Sequence, residues 1–264
     1  MTNSGNYFDT FETIFQNKDL LQIDHVPDSE QLIIGREDEL NALANSLQPA
    51  IHGQKPNNVL LYGKTGTGKS LCSKFIVQQL VQAGVKQDSA IGVAYVDCLQ
   101  DTTESAVIRA VGSAINEPGV TDETFPSSGV STAECYRRAW RVMDFLYDTV
   151  VIILDELDKM SDPNAVLMTL SRAVESGKLS NCNIGIIGIS NKPRFKDQLN
   201  ERARSSLCQR DFVFPPYDAN QLREILTARL PAFKNGVVDD AVIPKVAALA
   251  AREHGDARKA IDIL

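Results

Sequence analysis

The sequence is short of basic residues, cysteine and histidine, and it has no long apolar run. Lys and Arg total 27 against 34 Asp and Glu, a formal net charge of −7 with a pI of about 5.1. That balance argues against a broad basic face for gripping nucleic acid, because such binding draws on phosphate neutralisation by Lys and Arg. The same acidity suits solubility in a salty cell, and charge alone does not choose between these readings. The five cysteines (Cys72, Cys98, Cys135, Cys182 and Cys208) are odd in number and widely spaced, with no C-x-x-C. A disulfide framework and a cysteine zinc site are excluded, and reduced thiols in a cytosolic protein are expected. His25, His52 and His254 form no ligand-spaced cluster, so no metal role is assigned to them. The longest strongly apolar run, Val150–Leu154, is far too short to cross a bilayer. The chain opens without a basic segment leading into an apolar core, so no signal peptide and no membrane partner are expected, and the location is read as cytoplasmic.

What remains is ordinary globular composition, 43% hydrophobic and 23% charged over 264 residues, enough for one large or two smaller domains. Within it stands one sharp motif. Gly63-Lys64-Thr65-Gly66-Thr67-Gly68-Lys69-Ser70 spells G-x-x-x-x-G-K-S and directly follows the apolar run Val59–Tyr62. A strand running through a glycine-rich turn into a helix is the setting in which this pattern holds a polyphosphate. The glycines let backbone N–H groups of Thr65, Gly66, Thr67 and Gly68 point inward at the anion. The helix that starts near Lys69 adds its positive end. Lys69 reaches β- and γ-phosphate oxygens, and Ser70 offers a hydroxyl to Mg²⁺. The implied cofactors are ATP and Mg²⁺.

The rest of the chain alternates strands and helices. Strands are expected at Val59–Tyr62, Ile91–Val96, Val150–Leu154, Asn183–Ser190 and Asp211–Phe214. Helices are expected over Arg36–Leu47, over Lys69–Ala83 with a stop at Gly84, and through Val107, Ile108, Val111 and Ile115. Ser131 to Glu134 reads as a capping box opening a helix with Tyr136, Trp140, Met143 and Tyr147 on one face. Asp162-Pro163 starts another. This order predicts an α/β fold, a five-stranded parallel sheet carrying the phosphate loop. After Pro215-Pro216 only helices are expected, at Asn220–Leu230, at Asp239–His254 and from Asp256. The chain divides on this reading into an N-terminal segment over 1–57, an ATPase base over 58–215 and a small helical lid over 216–264.

Parallel sheets bind ligands at the carboxyl ends of their strands. Asp155 and Glu156 end the Val150–Leu154 strand and should face the phosphate loop. Asp155 would hold Mg²⁺ through water, beside Ser70. Glu156 would orient or deprotonate the attacking water. Taken alone, an acidic pair there also fits a strand running into a solvated turn. Asn191 ends the fourth strand, where an amide can bond both a γ-phosphate and water, although Asn is common in strand-end turns. Arg202 and Arg204 carry the right charge to stabilise a phosphoryl transition state, and equally suit a solvated helix face. Arg258, at the start of the last helix, is either a γ-phosphate reporter on a mobile second domain or a surface arginine.

With these residues in view the chain resembles the archaeal replication initiators related to the origin recognition complex and Cdc-six. The segments carrying the resemblance are Asn57–Ser70, Val151–Asp158, Ile189–Asn191, Arg204-Ser205-Ser206-Leu207, Phe214-Pro215-Pro216-Tyr217 and His254-Gly255-Asp256-Ala257-Arg258. It runs from about Asp24 to the end. The first two motifs occur in many P-loop ATPases; the Arg-Ser-Ser-Leu, Pro-Pro-Tyr and Gly-Asp-Ala-Arg segments in this order are much more specific. The resemblance implies an AAA+ base with a helical lid, Asn191 as first sensor and Arg258 as second. It also implies that Tyr217 and Arg229 line the nucleotide pocket from the lid side. It further implies slow, switch-like ATP hydrolysis, origin DNA and a replicative helicase as partners, and self-association or sister initiators.

The family's DNA-touching insertion would fall around Glu117–Thr132. That stretch has three acids and no Lys or Arg. Any DNA contact there is therefore expected through backbone N–H groups or a helix start. The family continues into a winged-helix domain, whereas this sequence ends at Leu264 inside the lid, so DNA binding by this chain alone is expected to be weak. Two alternatives stand beside the initiator reading: an ATP-binding regulatory module without productive hydrolysis, and a clamp-loader-like ATPase. Arg204-Ser205-Ser206 departs from the Ser-Arg-Cys that clamp loaders carry.

Overall fold

The computed structural model describes residues 13–22, 26–27, 29–207, 209–253 and 255–264. His25, His254, Cys208 and Asp24, the start of the family resemblance, lie outside them. The described chain forms two compact units, one spanning Arg36–Pro215 and one built from residues 1–35 and 216–264.

The larger unit is a five-stranded sheet in the order β2-β3-β4-β1-β5. The strands are β1 Val59–Tyr62, β2 Ile91–Asp97, β3 Thr149–Asp155, β4 Asn183–Ser190 and β5 Arg210–Val213. Every pairing is parallel, so all five strands end on one edge of the sheet. β3 is buried along its whole length, as its unbroken apolar run requires of a strand covered on both faces. One face carries Leu60, Ala94, Val96, Ile152, Leu154 and Ile186, packed with α3 (Glu104–Ile115), α4 (Thr132–Leu146), α5 (Pro163–Ser171) and α7 (Glu201–Leu207). α2 (Lys69–Val85) packs on the sheet and against α1 (Glu37–Leu47). A single turn, α6 (Phe195–Gln198), precedes α7.

Three details depart from the sequence reading. Helix α2 does not stop at Gly84 but runs through it to Val85. Gly84 is buried there because a Cβ would sit 2.8 Å from the carbonyl oxygen of Ser89 and 2.7 Å from Ile91. The glycine serves close packing of helix on strand, not termination. Ser131 does cap α4 by accepting from the Glu134 N–H. The Glu134 side chain, however, turns to Arg137 at 2.7 Å and Arg138 at 3.0 Å rather than back to the cap. Arg36 is the N-cap residue of α1 rather than part of the helix.

The 117–131 stretch contains no helix. It is held to α3 and α4 by polar and apolar contacts. Arg141 pairs with Glu123 at 2.5 Å, Arg138 donates to the Thr124 carbonyl at 2.8 Å, and Arg109 donates to the Ser127 carbonyl at 3.2 Å. Phe125 packs against the core directly over Gly112, where a Cβ would fall 2.0 Å from its ring.

The smaller unit holds α8 (Ala219–Thr227), α9 (Val242–Glu253) and α10 (Ala257–Ile263) around Tyr217, Leu222, Leu226, Val246 and Ala260. Asp218 and Gln221 form a full capping box on α8, and Asp256 caps α10. The second lid helix starts at Val242 rather than Asp239, because Asp239 instead caps a turn with its carboxylate on the Ala241 N–H. The described N-terminal residues contribute structure here. Phe15 forms an antiparallel bridge with Phe233, their rings 5.3 Å apart, and Lys234 donates to the Ile14 carbonyl at 2.9 Å.

Two outcomes follow from this packing. Gly112→Ala is expected to force Phe125 off α3, with a net loss of about 1 kcal/mol or more from overpacking and faster amide exchange across 117–131. A thermal melt with hydrogen exchange checks it; a more stable protein with unchanged protection would refute it. Burial pushes the thiols of Cys72, Cys98 and Cys182 up to about 12, with Asp155 and Asp97 adding to the effect at Cys98. Unfolded thiols ionise near ~8.5, so this contribution to stability is complete below that pH and is lost as pH rises towards about 12. The four described cysteines, all buried, are expected to resist a thiol reagent at pH 8 until denaturant is added. Rapid labelling of the native protein at these positions would contradict the packing.

Candidate functional site

The edge on which the strands end gathers the phosphate loop, Asp155, Glu156 and Asn191. The loop after β1 turns at Gly66 and Gly68, with φ of 73° and 90°, and Gly68 is the N-cap of α2. These left-handed conformations are glycine's domain, and they leave α2's first N–H groups facing the loop. Gly63 is needed for a different reason, since a Cβ there would meet the Phe214 carbonyl at 2.5 Å. Thr67 is buried and donates from its hydroxyl to the Lys64 carbonyl, while Thr65 is exposed at the loop tip.

Lys69 is buried, and its ammonium reaches three oxygens: the Gly63 carbonyl at 2.8 Å, the Lys64 carbonyl at 2.7 Å and Asn191 Oδ1 at 2.9 Å. The structure thus joins the loop lysine to the amide that ends β4. Ser70 Oγ donates to Asp155 Oδ2 at 2.5 Å, which joins the loop hydroxyl to the carboxylate that ends β3. Asp155 is only 8% exposed, and its Oδ1 accepts the Glu156 N–H at 2.9 Å. Glu156 itself sits at φ 51°, ψ 41°, one of two non-glycine residues of positive φ among the described residues. Such a conformation costs stability and concentrates at functional sites.

Sequence reasoning missed two residues that brace this cluster. Arg36 is 1% exposed. Its Nε donates to the Thr67 carbonyl at 3.0 Å and its Nη2 to the Pro215 carbonyl at 2.5 Å. Its guanidinium also lies 5.6 Å from the Phe214 ring centre. A buried arginine satisfied mainly by carbonyls leaves no motif, because any residues can supply carbonyls. Asp158 accepts from the Ser190 hydroxyl at 2.9 Å and the Asn191 N–H at 3.3 Å, and Lys192 lies 3.5 Å away. It fixes the strand end from which Asn191 reaches Lys69. Its signal in the sequence is a third acid after Asp155-Glu156, at the end of the Val151–Asp158 segment.

The remaining predicted residues are not joined to that cluster. Arg202 and Arg204 lie on α7, and among the described residues neither side chain makes a hydrogen bond or ion pair. Tyr217, Arg229 and Arg258 belong to the smaller unit. Tyr217 is buried, and its N–H donates to the Gly255 carbonyl at 3.1 Å. Arg229 Nη1 donates to the Ile225 carbonyl at 3.0 Å, and its Nε is buried without a partner. Burial lowers its pKa from the usual guanidinium value, against the opposing influence of Tyr217. Arg258 is exposed, and its N–H donates to the Asp256 carboxylate. Among the described residues no group of three or more His, Cys, Asp or Glu could hold a metal ion. No described helix is long and apolar enough to cross a membrane.

Comparison with known proteins agrees with this geometry. Residues 52–199 match the family model described as an AAA domain, and residues 223–264 match the Cdc6 AAA+ ATPase-type lid domain. The chain is 49% identical over 257 residues to the ORC1-type DNA replication protein 4 of Halobacterium salinarum, covering 97% of this chain and 62% of that protein. It is 46% identical over 222 residues to the ORC1-type DNA replication protein 2 of the same organism, covering 84% and 83%. The solved structure of the Aeropyrum pernix ORC1 protein in complex with DNA superposes with a TM-score of 0.83 at 36% identity, covering 96% of this chain and 63% of that one. Several relatives are thus matched over about three-fifths of their own length, from 59% to 62%. By its AAA domain, its Cdc6-type lid and these relatives, the chain belongs to the ORC1-type DNA replication proteins.

Proposed function

We propose that this chain binds ATP with Mg²⁺ and hydrolyses it slowly, as a switch in the initiation of DNA replication. The observation that carries the reading is the convergence of Lys69 with Asn191 and of Ser70 with Asp155 on one edge of the sheet. The donor set fits the ligands. A hydroxyl beside a carboxylate offers the hard oxygens that Mg²⁺ prefers, with water completing the shell. The Lys69 ammonium already sits among oxygens at 2.7 to 2.9 Å, an environment that phosphate oxygens would reproduce. The cation supplies charge neutralisation at the β- and γ-phosphates.

The protein's own residues then divide the work. N–H groups of Thr65 to Ser70 bind the phosphates, and Lys69 pairs with the terminal ones. Asp155 holds the metal's shell with Ser70. Glu156 accepts a proton from the attacking water, and its left-handed backbone, tied to Asp155 Oδ1, fixes where its carboxylate starts. Asn191 orients that water and the γ-phosphate. Tyr217 and Arg229 contact the base and ribose from the lid, and Arg258 reports the γ-phosphate. Arg202 or Arg204, unpaired on α7, is available to a neighbouring protomer's nucleotide. Domain limits of 58–215 for the ATPase base and 216–264 for the lid go with this assignment.

Origin DNA, a replicative helicase and sister initiators are the proposed partners, in the cytoplasm. The names of the relatives and the DNA-bound state of the Aeropyrum pernix protein support the DNA part of this reading. The acidic chain and the absence of Lys and Arg from 117–131 favour weak DNA contact through backbone groups.

Lys69→Ala is expected to abolish nucleotide binding, because Asn191 and the loop lose their shared cation; calorimetry with ATP and Mg²⁺ decides, and wild-type affinity would refute the site. Glu156→Gln keeps shape and charge-free hydrogen bonding but removes the proton acceptor. It is expected to bind ATP normally and to lower single-turnover hydrolysis by about 10²-fold or more. Unchanged cleavage would remove Glu156 from the role of base.

A further inference from the structure

The Asp155 carboxylate has another partner that neither the motif nor the proposed mechanism uses. Tyr95, on β2, donates its hydroxyl to Asp155 Oδ2 at 2.5 Å, the same oxygen that accepts from Ser70. The placement follows from the sheet. Tyr95 pairs in register with Ile153, so its side chain rises on the face from which Asp155, two residues further along β3, also projects. Lys74 lies over the ring, its ammonium 4.1 Å from the ring centre. Lys74 is one helical turn after Ser70 on α2, so the helix that carries the metal-facing hydroxyl also carries the clamp on the tyrosine.

Resting on the nucleotide reading above, we propose that Tyr95 is a positioning residue for the metal-holding carboxylate, and that Lys74 holds Tyr95 in place. A carboxylate has about four acceptor directions. At Asp155, Ser70 and Tyr95 occupy Oδ2, and the Glu156 N–H occupies one direction of Oδ1. Such a carboxylate cannot swing to chelate a cation directly without breaking one of these bonds. It is preset to meet the cation's water shell beside Ser70. Removing the phenol hydroxyl leaves the ring packing intact and frees Oδ2 to rotate. The effect should therefore appear in metal dependence and not in folding or in metal-free nucleotide affinity.

The test is a titration of a fluorescent ATP analogue on the whole chain, in EDTA and over a range of Mg²⁺ concentrations, for wild type, Tyr95→Phe and Lys74→Gln. Tyr95→Phe is expected to match wild type in melting temperature and in EDTA. Its Mg²⁺ concentration for half-maximal enhancement should rise about tenfold, as loss of a hydrogen bond to a charged group implies. Lys74→Gln sharpens the test by its sign. Simple electrostatics predicts that removing a nearby cation tightens Mg²⁺ binding. Loss of the clamp predicts that it weakens, by about threefold on the strength of an exposed cation–π contact. Unchanged Mg²⁺ dependence in Tyr95→Phe, or tighter Mg²⁺ in Lys74→Gln, would overturn the inference and leave the nucleotide site standing. If the wild-type protein binds the analogue without any Mg²⁺ dependence, the metal reading itself falls and the role of Tyr95 with it. Should Tyr95→Phe fail to fold, Lys74→Gln decides alone.

Discussion

Parallel pairing across all five strands is the constraint on which the site depends. It brings the ends of β1, β3 and β4 to one edge although 85 residues separate Ser70 from Asp155 and 122 separate Lys69 from Asn191. The turn after β1 supplies two polar groups, Lys69 and Ser70, and the ends of β3 and β4 one each, so the groups meet in pairs: ammonium with amide, hydroxyl with carboxylate. Neither pair would form if a single strand were reversed or shifted by one residue, since a one-residue slip turns every side chain to the other face. The buried apolar strands therefore do more than build a core; they set the register of the chemistry.

Around those pairs the protein is braced by residues whose partners are mostly backbone. Arg36 holds the phosphate loop through the Thr67 carbonyl, and Asp158 holds the end of β4 through the Asn191 N–H. Glu156 stays in a left-handed conformation because its N–H is tied to Asp155. The polar groups at the strand ends are thus held in place by fixed partners.

The fold was largely legible because its signals were periodic or local. The first four strands are mainly apolar runs bounded by turns, and the loop motif has a physical mechanism attached to each residue. Gly84 was misread because a glycine near a helix end looks the same whether it terminates the helix or lets a strand approach it. The Ser131–Glu134 capping box was half right for a similar reason: Glu134 had three arginines within reach on its own helix, at positions 137, 138 and 141. Arg36 and Tyr95 leave no trace of their roles in the sequence, and Asp158 shows only as the last residue of the Val151–Asp158 segment, because those roles exist only through contacts with residues far away in the chain. Where the sequence points to Arg202 and Arg204, the structure joins neither to the cluster.

The N-terminal residues that pair with Phe233 belong to the smaller unit, so the larger unit is in effect an insertion between the two halves of the smaller one. The two crossing points, after Gly35 and after Pro215, are joined on the larger unit's side by the Arg36 bond to the Pro215 carbonyl. During synthesis on the ribosome, Phe15 emerges with no partner and must wait for Phe233 to be made. Domains generally fold as units, N-terminal ones first. Here Phe15 precedes the larger unit in the chain but pairs with Phe233, which follows it, so the smaller unit cannot close until the larger one has been synthesised.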